Sequence, residues 1–179
     1  MNLSISCIGE EDLPQIAKLA NNRAIAAMTN NLPHPYTEAH AQQWYDYVQT
    51  HDAEHAFKIC AGRKLIGVIG LVLEDDHNRA ELGYWLGEPY WNKGYATQAV
   101  SMALAYAFGV LGVRRVYSRS YAVNIASRRV LEKSGFSQEG CLLQHHECMG
   151  VVHDVVCYGL LKPQYDALLA HTNNQTPEE

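Results

Sequence analysis

The sequence predicts a mixed α/β fold, one sheet flanked by helices, and three observations carry that prediction. Short runs in which apolar and polar residues alternate recur along the chain, as strands of a half-buried sheet do. Between them stand segments whose apolar residues return every three or four positions, the period of a helix face. The two kinds follow one another as β-α-α-β-β-β-α-β-α-β-β, an order that lays helices on a single sheet. The chain has 179 residues, the length of one domain with a core of its own.

Each element has a local reason. "LSISCI" is the first strand. "GEEDLPQIAKLANN" opens with an acidic turn and places Leu13, Ile16, Ala17 and Ala20 at helical spacing. In "NNLPHPYTEAHAQQWYDYVQTH" a proline-broken loop leads to Thr37, which can cap a helix whose Ala41, Trp44, Tyr45 and Val48 share a face. "EHAFKICAGRKLIGVIGLVLEDDHNRAELGYWLGE" holds three strand-like runs with turns near Gly62–Arg63 and Asp76–Asn78, a meander. "ATQAVSMALAYAFGVLG" is apolar nearly all round and stops at Gly112, the pattern of a buried helix. "RRVYSRSYAV" is a strand, "NIASRRVLEKSG" a capped helix, and "FSQEGCLLQHHECMGVVHDVVCYGLL" a hairpin turning near Gly150. Residues 1–170 form the single domain, and 171–179, "HTNNQTPEE", a frayed polar tail.

Composition narrows the function. Hydrophobic residues are 47% and charged residues 18%, with no apolar run of the roughly 20 residues a membrane span needs, so no membrane is expected as partner. The start, "MNLSISCIGEEDLP", lacks a basic region, an apolar core and a small-residue cleavage site, so a cytoplasmic protein is expected. Net charge is −5 and the basic residues form no long stripe, which disfavours nucleic acid. The cysteines, Cys7, Cys60, Cys141, Cys148 and Cys157, lie in strand-like stretches without a C-x-x-C pair and read as buried free thiols. "LEDDHNRAE" fits an exposed turn rather than a metal site.

One junction carries chemistry. "YWNKGYATQA" (90–99) joins a strand turn to the start of the buried helix, and a helix N-terminus offers unpaired N–H groups and partial positive charge to an anion. Gly94 permits a tight turn and close approach, so Asn92, Lys93, Gly94, Tyr95, Ala96 and Thr97 can converge on a pyrophosphate. Alone, the turn reads first as a solvent-facing one with a glycine in it, and the phosphate reading needs a second motif. A second motif, "NIASRRVLEKSGF", stands one strand later. The pair, at this separation and after a meander, resembles the GNAT acyl-CoA-dependent N-acetyltransferases, most of all the RimJ and RimL type that acetylates ribosomal-protein N-termini.

The resemblance implies a GNAT fold: a mixed, mostly antiparallel central sheet of about seven strands with the fourth and fifth splayed apart. It implies acetyl-CoA as co-substrate, no metal, and a single domain acting as monomer or homodimer. The 92–97 loop would hold pyrophosphate, Trp85, Leu86 and Gly87 would offer backbone groups to pantetheine, and Asn124 and Ser127 would face its arm and sulfur. Arg128 or Arg129 would meet the 3′-phosphate.

Two positions depart from the family pattern. Trp91 stands where Gln or Arg is usual, leaving Lys93 as a phosphate contact. Leu131 stands where many relatives have the tyrosine that protonates the thiolate, leaving Ser127, otherwise an ordinary third residue of a helix. For the base, strand alternation separates His146 from His145 and Glu147, and His146 occupies an acidic position of the RimL-like pattern. Glu81 is the second candidate. The alternative readings are a surface histidine and a salt-bridged carboxylate. His34 and Tyr36 lie in a loop that borders the acceptor site in such folds, or pack. A protein N-terminal α-amine is the implied acceptor; small amines, aminoglycoside-type antibiotics and a non-catalytic acyl-CoA-binding domain are the alternatives.

Overall fold

The computed structural model describes residues 2–74, 76 and 78–173. Seven strands, β1 (Leu3–Cys7), β2 (Glu54–Ala61), β3 (Lys64–Glu74), β4 (Arg79–Leu86), β5 (Arg115–Tyr121), β6 (Ser137–Cys148) and β7 (Val151–Leu161), form one sheet in the order β1-β2-β3-β4-β5-β7-β6. All neighbours are antiparallel except β4 and β5. The helices are α1 (Leu13–Ala20), α2 (Arg23–Ala26), α3 (Glu38–Thr50), α4 (Tyr95–Gly109), α5 (Ile125–Lys133) and α6 (Lys162–Asn173).

Alternation divides the strands between two cores. Ala80 and Leu82 of β4, Val116 of β5, and Tyr158 and Leu160 of β7 pack with Ala99, Val100, Ala103, Leu104, Ala107 and Phe108 of α4. On the opposite face Leu65 and Val68 of β3 meet the apolar stripe of α1 and Ala41 of α3. All four predicted stripe residues of α1 are buried. Thr37 caps α3 by accepting the His40 N–H at 3.4 Å. Helix α4 is covered on most sides, and its alanines at 99, 103 and 107, each with no exposed surface, let its axis lie close to the sheet.

Several elements differ from expectation. Helix α2 follows α1 after two asparagines, and Asn22 Oδ1 caps it by accepting from Ala24 N at 2.8 Å and Ile25 N at 3.1 Å. One turn is too short to show a period, so this segment reads as loop in the sequence. Helix α4 ends at Gly109, and Gly112, with φ 66°, sits in the turn beyond it. Helix α6 crosses the expected 170/171 boundary; residues 174–179 lie outside the described residues, as do Asp75 and His77 of the turn before β4. The cysteines do occupy strands but are not buried: Cys7 and Cys141 are exposed and the other three half-buried, Cys60 lying at the margin of the smaller core and Cys141 on the exposed strand β6.

Strand β6 is an edge strand and is exposed along most of its length. The hairpin turns at Met149 and Gly150, both at positive φ, as the sequence predicts. Its ladder with β7 is irregular. Leu142 pairs with Val155 and His146 with His153, so four steps on β6 face two on β7. Gln144, at φ 47°, takes up the excess and donates its N–H to Asp154 Oδ1 at 2.7 Å.

Since Ala103 has no exposed surface between α4 and the sheet, Ala103→Leu is expected to overpack that contact and cost about 1–3 kcal/mol. Urea denaturation of the variant measures it; an unchanged midpoint contradicts the close packing.

Candidate active site

The sheet forks. Strands β4 and β5 pair only through Arg79, Ala80 and Glu81 against Arg115, Val116 and Tyr117. Two hydrogen bonds fix which way the freed backbone of β4 points. Ser118 Oγ donates to Leu82 O at 2.8 Å from the β5 side, and Gly87 N donates to Ile66 O of β3 at 2.8 Å. By alternation the N–H and C=O groups of Tyr84 and Leu86 face the gap and those of Trp85 face β3. Of the three positions expected to meet pantetheine, only Leu86 therefore presents backbone, and its carbonyl accepts from Trp91 Nε1 at 2.7 Å. Trp85 contributes its side chain, and the Gly87 N–H is occupied. Tyr84, absent from the expected set, faces the gap instead.

A cavity of about 730 Å³ occupies the fork and joins the two faces of the sheet. On the α4 and α5 side it is walled by the whole loop from Asn92 to Thr97, by Tyr84, and by Asn124, Ser127, Arg129 and Lys133. On the other side Trp85 and the α2 segment, Ala24, Ile25, Met28 and Thr29, close it. Among the described residues, the charged ones that line it are all basic: Lys93, Arg129 and Lys133.

The loop has the geometry the sequence predicts. Gly94 is the N-cap of α4 at φ 75°, where a side chain is strained, and a Cβ there would meet no atom within 4 Å. Asn92 is also left-handed, at φ 58°. No side chain caps α4, so the N–H groups of its first turn stay available, and only with Gln98, bonded to Gly94 O at 3.2 Å, does the helical ladder begin. Lys93 Nζ donates to Pro89 O at 2.8 Å, which draws the ammonium back over the Tyr90 ring.

Helix α5 starts at the same cavity. Asn124 Oδ1 accepts from Ser127 N at 3.1 Å, which fixes the first turn and aims Ser127 inward. Ser127 Oγ lies 3.0 Å from Tyr84 Oη. Burial pushes the Tyr84 phenol up to about 12, the Ser127 hydrogen bond acting in the opposite direction. Leu131 is fully buried in the larger core and cannot reach the cavity. The arginines separate: Arg128 is tied to Tyr158 Oη and Ala122 O, each at 3.1 Å, while Arg129 lines the cavity with Lys133 one turn on. Lys133 is missing from the sequence prediction although its i+4 spacing from Arg129 was the available signal.

The two candidate bases lie away from the cavity wall. Glu81 Oε1 and Oε2 accept from Arg119 Nε and Nη2 at 2.9 and 3.1 Å, and Tyr117 Oη lies 3.3 Å from Oε2. The salt-bridged reading of Glu81 is the observed geometry. His146 is half-buried on the sheet face that carries α2, its ring stacked on Tyr121 at 5.7 Å, with His153 stacked on the same tyrosine at 4.4 Å. His145 and Glu147 are exposed, as alternation predicts. Cys148, on the same side as His146, donates to Ala26 O of α2 at 3.4 Å. Tyr36 packs in the smaller core at 5% exposure, and neither it nor His34 lines the cavity.

The comparisons with known proteins agree with this architecture. The chain is 37% identical over 103 residues to YoaA, an uncharacterized N-acetyltransferase of Bacillus subtilis, a match covering 57% of this chain and 58% of that protein. It is 30% identical over 159 residues to the spermidine N(1)-acetyltransferase of Escherichia coli K12, covering 87% and 83%. The match to YoaA thus spans about three-fifths of that relative, and the match to the spermidine enzyme most of it. The crystal structure of spermidine N-acetyltransferase from Vibrio cholerae in complex with CoA and spermine superposes with a TM-score of 0.82 at 26% identity, over 91% of this chain and 97% of that one. The family model of the acetyltransferase (GNAT) domain matches residues 2–137, and the chain belongs to that family.

Proposed function

We propose that the protein transfers an acetyl group from acetyl-CoA to a primary amine by direct attack in a ternary complex. The observation that carries this reading is the single cavity in which an uncapped helix N-terminus and the freed edge of β4 converge. Pyrophosphate fits the N–H groups from Gly94 to Thr97, with Arg129, Lys133 and Lys93 as cations for the remaining phosphate oxygens. Pantetheine lies along Tyr84 and Leu86 as an added strand, and an N–H on that edge polarises the thioester carbonyl. Ser127 faces the sulfur and hydrogen-bonds the leaving thiolate.

The acceptor enters from the α2 side, where the wall is neutral: Ala24, Ile25, Met28, Thr29 and Trp85. A polyamine carries further positive charges along its length, and among the described residues no carboxylate lines this cavity to meet them. The lining supports an amine on an uncharged body, a protein N-terminal α-amine of the kind RimJ and RimL acetylate. We assign the base to His146, acting through water from the α2 face, and give Glu81 a structural role.

Three tests follow from these assignments. Coenzyme A release measured over a panel of N-terminal peptides, small monoamines and spermidine is expected to be fastest with a peptide. Faster turnover of spermidine contradicts the neutral-acceptor reading, and tight binding with no turnover on any amine reduces the protein to an acyl-CoA binder. Gly94→Val, strained at positive φ, is expected to lower acetyl-CoA affinity by more than about tenfold while the fold persists, since the N–H cradle is lost. Calorimetry on the folded variant with unchanged affinity places the pyrophosphate elsewhere. Finally, His146→Gln is expected to lower kcat by about 10²–10⁴-fold, the usual contribution of a positioned general base, whereas His145→Gln and Glu81→Gln should leave it largely unchanged; full turnover in His146→Gln moves the base to another group.

A further inference from the structure

Two hydroxyls meet at the cavity wall, and they share too few hydrogens for every oxygen around them. Tyr84 Oη stands 3.0 Å from Ser127 Oγ and 3.3 Å from the Ser127 carbonyl oxygen. A phenol has one hydrogen to donate, and so does a serine. If Tyr84 donates to the carbonyl, Ser127 is free to donate to Tyr84 Oη, and its hydrogen is spent inside the protein. If Tyr84 donates to Ser127 Oγ, that oxygen is satisfied as an acceptor and its own hydrogen can go to an atom in the cavity. The arrangements differ by rotation about two C–O bonds, without movement of any heavy atom.

We propose that Tyr84 is a positioning residue which, by donating its phenolic hydrogen to Ser127 Oγ, directs the Ser127 hydroxyl at the sulfur of bound coenzyme A. The inference rests on the proposed placement of the thioester in the fork. In the transfer the acceptor nitrogen forms a bond to the acetyl carbon and the C–S bond breaks, its electron pair remaining on sulfur. The Ser127 O–H holds that pair as a hydrogen bond; the nitrogen gives its proton through water to His146, which returns it to solvent, and a solvent proton completes the thiol. Tyr84 strengthens the contact because a hydroxyl that accepts one hydrogen bond donates a better one. Burial keeps the phenol protonated, so it serves as donor across the range in which an amine can attack. The pair supplies, from β4 and the first turn of α5, a donor that Leu131 cannot give.

The test reads the sulfur without turnover. The thiol of coenzyme A bound to the protein is titrated by its thiolate absorbance in the wild type, Tyr84→Phe, Ser127→Ala and the double variant, with affinity for coenzyme A followed by calorimetry. A donor at sulfur makes the bound thiol more acidic than the free one, by about tenfold in its acid constant. Ser127→Ala is expected to abolish the difference, Tyr84→Phe to remove about half of it on a logarithmic scale, and the double variant to equal Ser127→Ala, because the two act in series. Affinity should stay within about twofold throughout.

Site-specific 3-fluorotyrosine at position 84, a stronger donor of the same shape, is expected to acidify the thiol further and covers the case in which Tyr84→Phe fails to fold. A wild-type titration in Tyr84→Phe, losses that add in the double variant, or a large fall in affinity without a change at the thiol overturns the proposal. A protein that shows the expected titrations but acetylates no amine supports the role of Tyr84 and refutes acetyl transfer; the two readings fail separately.

Discussion

Three residue pairs join β4 to β5, and the whole site depends on their being only three. Below the fork the strands are clasped from both faces. On the open face Tyr117 Oη donates to Glu74 and lies 3.3 Å from Glu81 Oε2, Arg119 grips Glu81 with two hydrogen bonds, and Arg79 does the same to Glu74. Burial, first, and the two carboxylates beside it push the Tyr117 pKa upward, so the phenol stays a donor at the centre of the cluster. On the buried face Ser118 Oγ reaches across to Leu82 O. Each half-exposed ion pair contributes at most about 1 kcal/mol, and the buried hydroxyl about as much. Together they fix the point of divergence. Pairing continued along the same register as far as Tyr84 would occupy its backbone and close the cavity.

The fork also separates charge. The chain carries a formal charge of −5, yet every charged residue lining the cavity is basic and lies on the α4 and α5 side. Beyond the gap the lining from α2 and Trp85 is neutral. In the proposed reading an anionic co-substrate is held on one side of the sheet and the amine on the other, with the reacting carbonyl between them. Removing water and opposing charges from the acceptor side favours the neutral amine, the form that can attack.

Much of this was legible in the sequence, for physical reasons that differ by element. Long periodic segments such as α1 and α4 and the hairpin turn at Met149–Gly150 announce themselves, since burial and positive φ each demand particular residues. The uncapped, left-handed turn that opens α4 was legible because Gly94 stands before a buried helix. What was not legible depends on phase or on distant partners. Alternation predicts that one of two adjacent residues faces the gap, but Ser118, 36 positions away from Leu82, sets which one, and so Tyr84 was missed and Gly87 included. Glu81 resembles a base until Arg119 is brought against it. Helix α2 is one turn long and held by an asparagine cap and two buried residues, too little pattern to register.

The mismatch in the β6 ladder bears on life at high protein concentration. An open sheet edge is a template: a flat strand with free N–H and C=O groups can recruit another chain, and that chain a third. Strand β6 is long, lies at such an edge, and carries Leu142 and Leu143 on its surface, with Val151 and Val152 exposed on the strand beside it. The two surplus residues break its regular spacing midway and turn the Gln144 N–H inward to Asp154, so a neighbouring strand finds no continuous row to copy. The irregularity thus interrupts the template that an apolar open edge would otherwise offer to another chain.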